Sequence, residues 1–376
     1  MRKINKNKLF VLLNILNIMN YNIAHNNIQH KKYDETHTYI CEKTQNEINI
    51  SEKIMKIPNY SIFFSPILKY KILKYAKLND NFYEEDSKKR EKYVLLYKKH
   101  HKYEDLIAFF SQISEPGIYI KHLIQSYSYL LDSLKLLNKN KLCYFDLKFE
   151  KLCFDEKNNP ILCDFEECID YSNCDCQGET ESIQMLNNYI GKYYIFPLEA
   201  HVLMYLNEDE NKNKRLSQPI IEEICKNYIV KNLALLVYNK ENIKLYYKKC
   251  VKYLLMLNLE NENENNTKKL YSHIHTWDTY SLSIMYLQIL LKFSKTFNLD
   301  FERNKFLNFF STHLLKFIEP DPKERLDINS AINEFKSIYQ KDLIDWTFIK
   351  ELKREKVFEL NESLIKNMNY ISDLLY

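Results

Sequence analysis

The chain has 376 residues, 45% hydrophobic and 28% charged, enough apolar side chain to bury a sizeable core as one large domain or two. A net charge of +4 is small for this length, and no basic stripe is interleaved with stacking aromatics, so nucleic acid is excluded as the expected partner. The only glycines are Gly117, Gly178 and Gly191, which excludes a glycine-rich phosphate loop.

The first 24 residues read as a signal peptide. Arg2, Lys3, Lys6 and Lys8 precede an apolar stretch over 9–19, broken by Asn14 and Asn17, and Ala24 is a plausible cleavage residue. The expectation is therefore a secretory or secreted protein with no membrane span in the mature chain, because the apolar run is too short to cross a bilayer. Residues 46–57 fit an amphipathic helix with Ile50, Ile54 and Ile57 on one face, stopped by Pro58-Asn59. Two strand-like runs follow at 60–68 and 93–97, separated by a stretch that ends in the polar run 79–90. A short helix is predicted over 104–112. A long amphipathic helix follows over 118–138, where Ile120, Leu123, Ile124, Tyr127, Leu130, Leu131, Leu134 and Leu137 keep the 3.6-residue period. Helices are also predicted within 220–257 and over 276–293, 306–317 and 328–339. Residues 258–269 read as a disordered Asn/Glu loop, and 342–376 as one or two helices.

Nine cysteines are present, and Cys143, Cys153 and Cys163 sit in apolar surroundings that mark them as core. Cys174-Asp175-Cys176 has no second close pair and no nearby histidine, so a loop thiol pair is expected rather than a metal clip.

The richest segment is Cys143-Tyr144-Phe145-Asp146-Leu147-Lys148-Phe149-Glu150-Lys151-Leu152, with Asp164-Phe165-Glu166 downstream. Between them, apolar Leu152-Cys153-Phe154 and Ile161-Leu162-Cys163 flank a turn at 156–160, which predicts a hairpin. One acid in a loop beside a lysine and a second after a buried strand suit a phosphotransferase. The first carboxylate would face the attacking hydroxyl and the second would hold Mg²⁺.

Four further stretches follow in order: the helix leading into the Asp146 loop, the run from Gly191 to Pro197-Leu198-Glu199, Trp277-Asp278-Thr279-Tyr280-Ser281-Leu282, and Asp321-Pro322-Lys323-Glu324-Arg325-Leu326. Each alone reads as a helix cap or a solvated turn. Together they resemble the eukaryotic protein kinase superfamily over residues 90–340. The resemblance is to divergent, pseudokinase-like members, such as the secreted kinase-like proteins of apicomplexan parasites. Asp164-Phe165-Glu166 also looks like a motif of choline and aminoglycoside kinases, but those carry an Asn where this chain has Lys151.

The resemblance implies an α+β, protein-kinase-like bilobal fold. Residues 25–115 would form a reduced N-lobe, 116–340 a mostly helical C-lobe with an insert over 205–272, and 341–376 a helical tail. It implies Asp146 as catalytic base, Lys148 as a phosphate contact and Asp164 as metal ligand. It also implies Asp278 as anchor of the Asp146 loop and Arg325 as partner of Glu199. Lys151 replaces the Asn that would hold a second Mg²⁺. A protonated ammonium has no lone pair for a cation, so Lys151 would stand in as positive charge beside nucleotide phosphate. Glu166 replaces a glycine beside the metal site. The strand lysine that should pair with a helix glutamate, Glu47 or Glu52, has only Lys43 as a nearby candidate, in an awkward geometry that makes a surface lysine the simpler reading. The expected function is a degenerate kinase-like scaffold acting on a protein partner, with ATP and Mg²⁺ only if nucleotide binding is retained. The alternative is an active atypical Ser/Thr kinase with a protein substrate, using Asp146 and Asp164.

Overall fold

A computed structural model describes residues 34–39, 42–73, 93–99, 101–103, 105–172, 195–207, 216–259, 263–301, 303–337, 344, 349 and 352. The expected signal peptide, the polar run 79–90, the Cys174/Cys176 pair, Gly191 and nearly all of the tail lie outside these residues.

The chain is a mixed α+β protein, mostly helical, with small sheets. β1 (Asp34–Tyr39) leads into helix α1 (Glu42–Ile54), followed by the short α2 (Tyr60–Phe63), β2 (Phe64–Ser65), β3 (Ile67–Leu73) and β4 (Tyr93–Lys98). β4 is the middle strand of an antiparallel sheet in the order β1-β4-β3. The run expected as a strand from residue 60 begins instead with a helical turn. Its aromatic and β-branched residues favour a strand, but packing on the next long helix decides otherwise. Tyr129 donates to the carbonyl of Ile62 at 2.6 Å, and its ring packs 4.9 Å from that of Phe63.

β5 (Lys102–Tyr103) and helix α3 (Leu106–Gln112) precede α4 (Pro116–Lys139), whose buried stripe is the periodic one expected. β6 (Leu142–Cys143) leaves α4. Then β7 (Leu152–Phe154) and β8 (Pro160–Cys163) form the anticipated hairpin, in register Leu152↔Leu162, Cys153↔Ile161 and Phe154↔Pro160. Its turn is held by the Asp155 carboxylate, which accepts from the backbone of Lys157 and Asn159 at 2.8 Å each. β2 and β5 flank the hairpin, and β9 (Ile169–Asp170) pairs with β6.

The second half is helical: α5 (Leu198–Asn207), α6 (Gln218–Lys231), α7 (Lys240–Met256), α8 (Asn263–Tyr271), α9 (Trp277–Thr296), α10 (Lys305–Leu315) and α11 (Ile328–Lys336). α8 corrects the expectation of disorder over 258–269. Its composition is polar, but Leu270, Asn266 and Thr267 are buried, so one face is used against the fold. α9 is buried all round and forms the central pillar. One continuous core runs from Ile50 of α1 through α4 and α9 to Phe335 of α11. The described residues of segment 205–272 belong to it. Tyr228 of α6 hydrogen-bonds Tyr280 of α9, and Tyr246 of α7 donates to the Ile318 carbonyl at 2.6 Å. Among the described residues no helix is long and apolar enough to cross a membrane.

Candidate functional site

The site begins with an anchor. Asp278, in the first turn of α9, accepts from the backbone N–H of Tyr144 at 2.7 Å and of Phe145 at 2.8 Å. Burial pushes this carboxyl up to about 6, against the lowering effect of those two bonds and of the Cys143 thiol. Phe145 adopts a left-handed backbone, φ 65°, which costs a bulky side chain about 1–3 kcal/mol. Ring packing holds it there: Phe145 stacks on Phe196 at 4.5 Å and packs 5.8 Å from Trp277. This turn brings Asp146 inward, where it is 2% exposed.

The second acid comes from the hairpin. Asp164 directly follows β8 and is also left-handed, φ 64°. Tyr144 fixes the distance between the two loops by donating to the carbonyl of Cys163, the residue before Asp164. Thus Asp146 and Asp164, apart in sequence, converge in space.

They converge on an ammonium. Lys151, at the end of the 3-10 turn Phe149–Lys151, places Nζ 2.5 Å from Asp146, 3.1 Å from Asp164 and 3.7 Å from Glu166. Lys148 lies 3.1 Å from the same Asp146 oxygen. Burial works against the Lys151 charge. Asp146 and Asp164, with help from Glu166, outweigh it and hold this lysine well above its ordinary range.

A second ion pair sits beside the first. Lys98, at the end of β4, reaches Glu47 of α1 at 2.6 Å. Burial opposes its charge, but Glu47 and then Asp164 raise its pKa above the ordinary lysine value. Glu47 also accepts from the Phe165 N–H at 3.3 Å. Asn46 donates to the carbonyls of Glu166 and Cys168 at 2.9 Å each, and Lys53 pairs with Asp170. Helix α1 is therefore bolted along the segment that follows Asp164.

Lys43 lies in the first turn of α1, not on a strand, and the lysine facing Glu47 is Lys98. Sequence reasoning missed Lys98 because its pairing depends on β4 being threaded between β1 and β3. The available signal was a lysine closing an apolar strand, Tyr93-Val94-Leu95-Leu96-Tyr97-Lys98.

The remaining expected pair is formed deep in the helical half. Arg325 donates two parallel bonds to Glu199 at 2.9 and 2.8 Å, and both side chains are fully buried. Its other donors are taken by Thr276 Oγ1 and by the Glu319 and Pro320 carbonyls.

The fit of a divalent cation follows from these distances. Asp146 and Asp164 are oxygen donors of the kind Mg²⁺ requires at about 2.0–2.1 Å. The oxygens facing each other are already capped by the Lys151 ammonium, which repels a cation and offers no lone pair. Among the described residues no group of three or more His, Cys, Asp or Glu side chains converges as a metal-ligand set. The residues present do not fit Mg²⁺ alongside Lys151. A scan against protein-family models and a search of curated proteins return no match.

Proposed function

We propose that this chain is a degenerate protein-kinase-like scaffold whose phosphotransfer centre has been closed by its own lysine. The observation that carries this reading is the Lys151 ammonium among Asp146, Asp164 and Glu166. Phosphoryl transfer rests on positioning and on cations that neutralise phosphate oxygens. Here the positive charge is tethered, monovalent and already spent on carboxylates. The site around it is nearly balanced: Glu47, Asp146, Asp164 and Glu166 face Lys98, Lys148 and Lys151. Such a centre offers little net attraction to a nucleotide triphosphate, and the three glycines of the chain cannot supply a phosphate loop. In this reading the anchors at Asp278 and Glu199–Arg325 preserve the scaffold, which acts through a protein partner.

One observation favours a second reading, an active atypical Ser/Thr kinase. The Lys98–Glu47 pair stands beside Asp164, where a nucleotide-aligning lysine would be needed. The two readings differ in nucleotide binding. In a thermal-shift titration with ATP and Mg²⁺, the scaffold reading expects no cation-dependent stabilisation and no phosphotransfer from radiolabelled ATP. Stabilisation that disappears in Asp164→Ala, with phosphotransfer that disappears in Asp146→Asn, would establish the kinase reading instead.

A further inference from the structure

We infer that the outer face of α7 is a docking groove for an acidic amphipathic helix of a partner protein. Helix α7 buries one stripe, Ile243, Tyr246, Cys250, Tyr253 and Leu254, against the fold. Beside that stripe runs a second apolar pattern, half-buried at Tyr247 and Val251 and exposed at Leu255. Tyr247, Val251 and Leu255 recur at i, i+4 and i+8 and form the floor of a shallow groove walled by Glu222 of α6. Lys244, Lys248 and Lys252 recur one position round the helix, with the same spacing.

The apolar part of this face is exposed beyond what a lone surface residue requires. Leu255 and Met256, which line the groove, are 43% and 68% exposed, two of the seven large hydrophobics exposed among the described residues. The helix does not need them outside for its own stability. It is fixed by Tyr246, which bonds Tyr228 of α6 and the Ile318 carbonyl, and by the Lys249–Glu319 pair at 2.8 Å. A well-anchored helix whose apolar stripe the fold only half covers is a surface suited to another element.

Charge selects the occupant. Among the described residues Lys248 and Lys252 have no carboxylate at ion-pair distance. A partner helix with apolar residues in the groove and Asp or Glu along one flank would pair with both lysines. A second copy of this chain, docked face to face, would set lysine stripe against lysine stripe. An anionic membrane is broad and would have to enter a groove between two helices. A single helix fits that groove and can set its acidic flank on Lys248 and Lys252, away from Glu222.

The inference rests on the scaffold reading only for the biological role of the contact. Its test uses no nucleotide, so the two can fail separately. The probes are fluorescent synthetic helix-forming peptides with Leu at i, i+4 and i+8 and Glu on the adjacent stripe, and their Glu→Lys counterparts, read by anisotropy. The full chain is expected to bind the acidic peptides at least about tenfold more tightly than the basic ones. Lys248→Glu with Lys252→Glu should reverse that order, and Leu255→Asp should abolish binding of both, with unchanged circular dichroism melting in each variant. Equal affinity for the two peptide types, no binding of either, or an order unchanged by the charge reversal overturns the proposal. So does tighter association with phosphatidylserine vesicles than with the acidic peptides, or a dimer in light scattering that Leu255→Asp dissolves.

Discussion

Two carboxylate–cation clusters in this molecule solve opposite problems. At Glu199–Arg325 a planar guanidinium meets a carboxylate through two parallel bonds, and every other donor it points inward has a carbonyl or hydroxyl acceptor. At Lys151 one compact ammonium faces three carboxylates at unequal distances, two of them about a third exposed. The first cluster is a permanent joint, because guanidinium geometry leaves nothing unsatisfied. The second is an occupied socket, in which the occupant is a side chain and the carboxylate lone pairs outnumber its donors. In the scaffold reading proposed above, the first cluster holds the architecture and the second occupies the place of the chemistry.

The largest effect is expected at the joint. Replacing Arg325 with Ala leaves Glu199 buried and unpaired, which costs about 3–5 kcal/mol. Urea denaturation should report the loss, and a change under about 1 kcal/mol would mean that the pair does not hold the helical half together.

Next comes the Asp278 anchor, which is sensitive to pH. Its folded carboxyl is raised from 3.8 to about 6, a difference of about 3 kcal/mol. The folded state binds this proton more tightly than the unfolded chain does. The stabilisation is full below the unfolded value and is lost as pH rises through the folded value. Unfolding free energy attributable to this group should therefore fall between about pH 4 and 6, and Asp278→Asn should flatten that slope in a denaturation series across the window.

A smaller effect is expected at Lys98, whose side chain is 15% exposed. Lys98→Met leaves Glu47 with the Phe165 N–H and should cost about 1–3 kcal/mol. The cost should be concentrated in faster hydrogen exchange of the α1 amides. Uniform exchange across the whole chain would mean that Lys98 does not secure α1 in particular.

The difference between the clusters also explains what the amino-acid pattern revealed. Local regularity was legible. The periodic apolar residues of α4 and α9 and the turn residues between β7 and β8 encode their own geometry over a few neighbours. The Glu199–Arg325 and Asp278 contacts were anticipated only through the order of several motifs along the chain. Lys98 was invisible because 51 positions separate it from Glu47, and their meeting depends on the strand order β1-β4-β3. Lys151 was recognised as a residue without lone pairs. That it bridges Asp146 and Asp164 follows from the short 3-10 turn that aims it back into the loop. Tyr60–Phe63 and Asn263–Tyr271 went the other way, since tertiary packing on α4 and burial of Leu270 overrode local propensity and composition.

If Lys151 holds the place of a cation, metal titration of Lys151→Asn will expose the vacated site. With Asn there, Asp146 and Asp164 are freed for a divalent ion. A ligand at about 100 times its Kd stabilises the fold by about 2.7 kcal/mol. Mn²⁺ is therefore predicted to raise the melting temperature of Lys151→Asn by several degrees, to leave the unmodified chain unchanged, and to lose its effect when Asp164→Ala is added. An unmodified chain stabilised by Mn²⁺ as strongly as the variant would contradict that role of Lys151.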